Sequence, residues 1–311
     1  MTQIDSQESS SRPAPSPLIV VLWLVTLLAS ALPDAICNQF VGPTPPWLFW
    51  GKATLLVVLI ILGWAWKRIQ PLRSYFILLF VNILVWWLLP WIRTSPPWSQ
   101  WEGQVSWVVG LLGIQLLKAG GAVLTIIVVL FVVRRRQDAF LVQGQFDAKA
   151  EPVRWLGLKD DVSWKSLGPI VAVIAGAIML VVLAVTSLPS VTTLVQTLPL
   201  LPAALLFSAT NAVSEEVSYR SSLLAPLHKV VGRGPAMAVT SVFFGLAHYS
   251  GGVPLATLPT ILMTSFLGWW MAKSMLETKG FFWAWFIHFV NDIPVFVFLA
   301  MGSVVVNGQG G

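Results

Sequence analysis

The sequence contains very little charge. Of its 311 residues, 10% are Asp, Glu, Lys or Arg, whereas 56% are hydrophobic, and the mean hydropathy is +0.79. A soluble domain carries about 25% charged residues, because charge covers its surface. The composition therefore excludes a soluble globule of this size and predicts a protein embedded in lipid.

Cysteine is almost absent as well. Cys37 is the single cysteine, which excludes an intrachain disulfide framework and a cysteine-rich metal site. The net charge of +6 would suit a nucleic-acid partner, but the basic residues do not form a stripe interleaved with aromatics. They lie between the apolar runs, and the 17 Trp residues are typical of rings that anchor at membrane–water interfaces. We expect a lipid bilayer and no nucleic acid as a partner.

Apolar runs follow one another along most of the chain. A spanning helix needs about 20 predominantly apolar residues. The candidate spans are 18–36, 47–66, 75–92, 108–133, 168–188, 196–214, 235–249, 255–273 and 281–302, and 211–227 is predicted to be helical too. The predicted fold is an all-α, polytopic transmembrane helical bundle with about eight or nine spans.

Basic residues mark the loop after every even-numbered span. These loops contain Lys67, Arg68 and Arg73, then Arg134, Arg135 and Arg136, then Lys229 and Arg233, and finally Lys273 and Lys279. Cytoplasmic loops of membrane proteins carry an excess of Lys and Arg. The alternation predicts an integral membrane protein with a cytoplasmic N-terminus and, for nine spans, an outside C-terminus.

Composition divides the chain into four regions. Residues 1–17, rich in Ser, Gln and Pro, are predicted to be a disordered cytoplasmic tail. An N-terminal transmembrane region of unassigned role covers 18–133, a polar cytoplasmic linker covers 134–166, and a second transmembrane region covers 167–311. The apolar run after the tail lacks a basic leader and a clear cleavage site, so we expect a retained helix.

Lys118 is a charge inside the fourth apolar run. We expect this run to be an interfacial helix followed by a shorter span, so that the lysine extends its ammonium group to the interface. The alternative is a buried functional charge.

Two neighbouring carboxylates stand in the sixth apolar region. Glu216 and Arg220 are one turn apart, so they can pair on one helix face. Glu215 points about 100° away, and we expect it to be free to act as a general base in a pocket of low dielectric. The alternative is a salt bridge at a helix end.

The histidines complete the set of candidate residues. His248 lies on a helix rich in small residues and could equally pack or catalyse. His288 and Asp292 share a helix face at i and i+4, with Asn291 at its border; such a pair can orient an imidazole, share a metal or join helices. His228 precedes Lys229 and is expected at the solvated surface.

Polar groups on three apolar helices would each be costly in lipid unless the helices converged on one pocket. Two glutamates, two histidines and an Asn–Asp pair in one pocket suffice to activate water. The residues alone therefore favour a hydrolase.

The pattern resembles the CPBP family of intramembrane proteases, which includes CAAX prenyl endopeptidases and bacterial proteins linked to bacteriocin processing and immunity. The motifs are Glu215-Glu216-x-x-x-Arg220, Phe244-x-x-x-His248 and His288-x-x-x-Asp292, in that order on successive apolar helices. The resemblance covers roughly residues 167–305 and leaves the first four predicted helices unexplained.

The resemblance implies roles for these residues. Glu215, with His248, would activate a water that attacks a peptide carbonyl, while Arg220 restrains Glu216. His288 and its neighbour would stabilise the tetrahedral oxyanion. The family accepts Asn or Asp four residues after the last histidine. An ionised Asp292 cannot donate a hydrogen bond to that oxyanion.

Three alternatives follow for Asp292: it is protonated, it orients His288, or it favours the binding of a metal. We favour the second, in which Asp292 orients His288. Asn291 is the neighbouring side chain that could donate to the oxyanion instead. The family has been described both as metal-dependent and as metal-independent. A divalent metal such as zinc is an open possibility, with Glu216, His248 and His288 as candidate ligands, although no His-Glu-x-x-His occurs in the sequence.

The sequence thus predicts an intramembrane endopeptidase that cleaves a membrane-associated peptide or protein, CAAX-like tails being one option. Its pocket would open near the cytoplasmic leaflet, and the family suggests the plasma membrane of a bacterial cell. A non-catalytic scaffold of the same fold and a proton-coupled transporter are the alternatives.

Overall fold

The protein is described by a computed structural model that covers residues 16–249, 251 and 254–309. Throughout these residues the regular structure is helical, and β-pairing is limited to two isolated bridges, Lys149–Ser163 and Val153–Leu158. The predicted all-α class is confirmed. The predicted disordered tail lies almost entirely outside the described residues.

Two sets of helices flank the polar linker. The first set is α1 (Ser16–Ala29), α2 (Leu32–Phe40), α3 (Trp47–Ala65), α4 (Arg73–Arg93), α5 (Pro96–Glu102) and α6 (Trp107–Val133). The second set is α7 (Trp164–Thr186), α8 (Val191–Thr197), α9 (Leu201–Glu216), α10 (Ala225–Val231), α11 (Arg233–Leu246), α12 (Pro254–Thr278) and α13 (Phe282–Gln309). A π-helical segment, Val217–Leu224, joins α9 to α10, and 3₁₀ turns occupy Gln70–Leu72, Arg154–Leu156 and Leu198–Leu200.

The number of possible spans is slightly lower than predicted. In the described ranges, six helical stretches are long and apolar enough to cross a membrane, or seven if the pair α1 and α2, bent by 55°, forms one span. Pro33 lies in the first turn of α2, a position where its missing N–H costs nothing because a helix begins there. The predicted run 18–36 is therefore broken between α1 and α2. The predicted span 235–249 is the 14-residue α11, about 21 Å long and too short for a hydrocarbon core of about 30 Å.

Helix α6 contradicts the expectation for Lys118. It is a single helix of 27 residues, about 40 Å long, with the lysine well inside it. The predicted division into an interfacial helix and a shorter span is wrong. The ammonium group of Lys118 bonds Asn211 and Glu215 on α9.

The helices before and after the linker pack into one core, which includes residues from Leu18 to Ile287. Helices α4 and α6 both pack on the π-helical segment, and α6 also packs on α9. The Asn82 side-chain amide donates to the carbonyl of Ser218 at 2.8 Å. The N-terminal helices therefore form walls around the junction between α9 and the π-helical segment.

The linker docks at one end of the bundle. Gln145 N donates to Thr278 O at 2.7 Å, and Phe281 N donates to Val142 O at 2.8 Å. Gly144, at φ +84°, lies so close to Gly280 that a side chain would not fit. The linker thus covers the turn between α12 and α13, while its cytoplasmic location stays a prediction.

Candidate active site

The two glutamates occupy the point where α9 changes to π-helical geometry. Glu215 and Glu216 are the last residues of α9, and the eight residues that follow form the π-helical segment. Ser218 Oγ donates to the carbonyl of Ser214 at 2.8 Å, and Ser222 Oγ bonds the carbonyl of Ser218. Such side-chain bonds to the backbone compete with the regular helical ladder. π-helical turns of this kind occur frequently at functional sites.

Glu216 is held by two donors and is fully buried. Arg220 Nη1 donates to its Oε1 at 3.0 Å, the pair that the one-turn spacing predicts, and His288 Nδ1 donates to the same oxygen at 2.7 Å. The guanidinium of Arg220 also lies 4.0 Å above the Phe244 ring. Helices α9, α11 and α13 are joined through this buried group.

Glu215 has partners of its own, contrary to the expectation that it is free. Its Oε1 accepts from Lys118 Nζ at 3.2 Å and from Asn211 Nδ2 at 3.1 Å. Lys118 also donates to Asn211 Oδ1 and lies 5.2 Å above the Trp86 ring. The other oxygen of Glu215, Oε2, faces His288 Nε2 at 3.6 Å.

Asp292 joins the same group through an amide. Its Oδ2 accepts from Asn211 Nδ2 at 2.8 Å and lies 3.6 Å from His288 Nε2. The carboxylate that contacts His288 most closely is therefore Glu216 and not Asp292. Asn291 is not brought to this group, because it lines a separate cavity of about 380 Å³ beside α7 and α12.

His248 lies at the edge of the group, in the turn just after α11. Its Nδ1 donates to the carbonyl of Phe244 at 2.8 Å. The Phe244 ring contacts both imidazoles, with centroid distances of 4.6 Å to His248 and 5.7 Å to His288. In the part of the chain that the structure describes, His248 makes no hydrogen bond or ion pair with Glu215. His228 lies far from the site, half-buried beside Phe140.

Two residues of the network were not among the predicted site residues. Lys118 is a lone charge in an apolar run, which the sequence shows but does not connect to Glu215. Asn211 is one turn before Glu215 on α9 and bonds three members of the group. Its spacing is the indication in the sequence that could have identified it.

The charges of the buried group can balance. Lys118 faces Glu215, and Arg220 faces Glu216. An imidazolium at His288, which contacts all three carboxyl groups, would compensate Asp292. Buried charges persist when they are paired and hydrogen-bonded in this way.

The candidate metal ligands do not fit a metal in this arrangement. Glu216 Oε1 and His288 Nδ1 bond each other, and His248 Nδ1 is bonded to a backbone carbonyl. Among the described residues, no group of three or more His, Cys, Asp or Glu is placed to hold a metal ion.

Comparison with known proteins relates part of the chain to a protease family. Residues 196–294 match the family model of the Rce1-like type II CAAX prenyl endopeptidases. This segment contains the two glutamates, Arg220, both site histidines and Asp292, so the resemblance predicted from the motifs is confirmed there. It covers 99 of the 311 residues (196 to 294) and leaves α1 to α7, with Lys118, outside. No curated protein and no solved structure matches the chain significantly.

Proposed function

We propose that this membrane protein is an intramembrane endopeptidase in which Glu215 activates the hydrolytic water. One observation carries the proposal: Glu215, Glu216, Asp292 and His288 converge in one buried group, inside a segment similar to CAAX-type proteases. The substrate is a peptide or protein held at the membrane, of which a CAAX-like tail is one type.

The distances in the group suit a bridging water. His288 Nε2 is 3.6 Å from both Glu215 Oε2 and Asp292 Oδ2, which is too long for a direct hydrogen bond and is a separation that one water can bridge. Because Lys118 and Asn211 hold Oε1 of Glu215, its Oε2 is the oxygen that takes the proton. A carboxylate at this distance from a bridging water can act as its general base.

His288 is the group that stabilises the tetrahedral oxyanion in this proposal. Glu216 fixes the ring through Nδ1, so Nε2 is directed towards Glu215 and Asp292. An imidazolium N–H aimed at the developing charge lowers the barrier because it is oriented before the reaction starts. Asn291 faces another cavity and takes no part, and His248, whose Nδ1 bonds the carbonyl of Phe244, takes no part in activating the water.

The test is cleavage of a library of quenched fluorescent lipopeptides by detergent-purified protein, with products identified by mass spectrometry. We expect turnover by the wild type, with and without a chelator, and none by Glu215→Ala. Hydrolysis in ¹⁸O-labelled water should place one label in the new carboxylate. Loss of turnover in chelator with recovery on adding zinc would overturn the metal-independent role of Glu215. Unchanged turnover in Glu215→Ala would overturn its role altogether.

A further inference from the structure

The buried carboxylates lie at middle depth in the bundle. Lys118, which contacts Glu215, is 11 residues from the start of α6 at Trp107, or about 16 Å. Asp292 is 10 residues from the start of α13 at Phe282, near the opposite end, or about 15 Å. Water can reach this depth only along a path between helices.

A cavity of about 470 Å³ leads towards the group between α4, α5, α6 and α13. At about 30 Å³ per water, its volume holds on the order of ten water molecules. Its polar lining residues are Arg93, Glu102, Ser106, Gln115 and Lys118. Lys118 connects the cavity to the site, because its Nζ also contacts Glu215 Oε1.

The wall of the cavity is polar at both ends. At its mouth, Arg93 Nη2 and Glu102 Oε1 form an ion pair of 3.1 Å, and Trp98 Nε1 donates to Glu102 Oε2 at 2.9 Å. At its inner end the Lys118 side chain keeps 20% of its surface accessible. Lys118 Nζ bonds Asn211 and Glu215, and Gln115 Oε1 accepts from Thr210 at 3.2 Å, so water in the cavity would solvate the polar surface that these partners leave uncovered. The cavity beside Asn291 differs, because its lining is almost entirely apolar.

We propose that this cavity is the aqueous entrance to the site. It opens where α4 ends and α6 begins, at the end of the bundle opposite the linker. If the linker is cytoplasmic, as its basic residues predict, the entrance opens on the extracytoplasmic side, in contrast to the cytoplasmic opening expected from the sequence. Its purpose, the supply of water to Glu215, rests on the proposed function.

The test uses two neighbouring residues of α6 at the same depth. Gln115 is buried and lines the cavity, whereas Leu116 is 64% exposed on the outer surface of the bundle. In a Cys37→Ser background, Gln115→Cys and Leu116→Cys are treated with a cationic, membrane-impermeant thiosulfonate in sealed vesicles of known orientation. We expect Gln115→Cys to react roughly tenfold faster or more, because the reactive thiolate forms in water and not in lipid.

Two exposed positions identify the two sides of the membrane. Gln104→Cys, beside α5, and Gln137→Cys, in the linker, should react from opposite sides, and Gln115→Cys should react from the same side as Gln104→Cys. Ile114→Cys, which also lines the cavity, replaces Gln115→Cys if that variant does not fold. Labelling from the Gln137 side only, or no labelling while Gln104→Cys reacts, would overturn the entrance.

The labelling does not depend on catalysis, so it separates the two proposals. Labelled Gln115→Cys should lose peptide hydrolysis, while Leu116→Cys treated in the same way should keep it. If Gln115→Cys is labelled but the protein has no protease activity, the result would support the proposed entrance and overturn the proposed function.

Discussion

At the scale of single residues, the two oxygens of Glu215 have different surroundings. Oε1 accepts from Lys118 and Asn211, while Oε2 faces His288. A general base needs one oxygen free for the proton and a fixed orientation of the carboxylate. Lys118 is thus a positioning residue in this account, acting through Glu215 and not on the substrate.

Replacing Lys118 tests that role. Lys118→Met removes a charge-assisted hydrogen bond worth about 1.5–3 kcal/mol, so we expect kcat to fall roughly 10- to 100-fold, with KM little changed. Lys118→Arg, which keeps the charge and the donor, should restore most of the rate. Steady-state kinetics on a cleaved lipopeptide measures both parameters.

Lys52 provides the matched control, because it is another lysine of the N-terminal helices that is paired with a carboxylate, Asp34, away from the site. Lys52→Met should leave kcat per folded molecule unchanged. An equal fall in both variants would show that Lys118 matters only for folding.

At the scale of elements, the close packing of α11 on α12 positions Phe244 against the two histidines. Gly245 faces α12 so closely that an added Cβ would overlap Ile261 O and Ser265 Oγ. Small residues permit such approach between membrane helices. The contact between these helices depends on this glycine.

Gly245→Ala should therefore destabilise the protein. A backbone oxygen cannot move without shifting α12, and overpacking of this kind costs about 1–3 kcal/mol. Gly120→Ala is the matched control, since a Cβ there meets nothing within 4 Å. Thermal unfolding in detergent should show a lower midpoint for Gly245→Ala and an unchanged or higher one for Gly120→Ala; equal midpoints would contradict the packing argument.

Local spacing explains which parts of the site the sequence could predict. Glu216 and Arg220, at i and i+4, must share a helix face, and the structure pairs them. Lys118 and Glu215 are 97 residues apart, and no local pattern shows that α6 packs on α9. Asn291 points away from its neighbour Asp292, because adjacent helix positions diverge by about 100°.

Helix length is a second limit on prediction. Hydropathy located the apolar runs, but the run 235–249 forms only the 14-residue α11. A short buried helix and a span have similar composition, and only the packing separates them. For the same reason, composition could not predict that α6 continues as one helix through Lys118.

At the scale of the whole molecule, the N-terminal helices belong to the site. Lys118 and Trp86 approach the buried carboxylate group from α6 and α4, although both lie outside the segment that matches the protease family. A C-terminal half alone would leave Glu215 without its cation.

Splitting the chain tests this dependence. Residues 161–311 expressed alone should show no turnover, whereas co-expression with residues 1–160 should restore it, because the division falls at exposed linker residues. The intact chain is the reference for expression and activity. Full activity of the fragment 161–311 alone would show that the N-terminal helices are dispensable.

The most direct test of the account is the turnover of one cleaved lipopeptide by Glu215→Gln, compared with the wild type and with Glu151→Gln. The isosteric change at Glu215 keeps the shape and removes the base, whereas Glu151 is an exposed linker residue. We expect turnover to fall roughly 10²- to 10⁴-fold for Glu215→Gln, at an unchanged elution profile, and to stay at the wild-type value for Glu151→Gln. Wild-type turnover by Glu215→Gln would contradict the role of Glu215 as the general base.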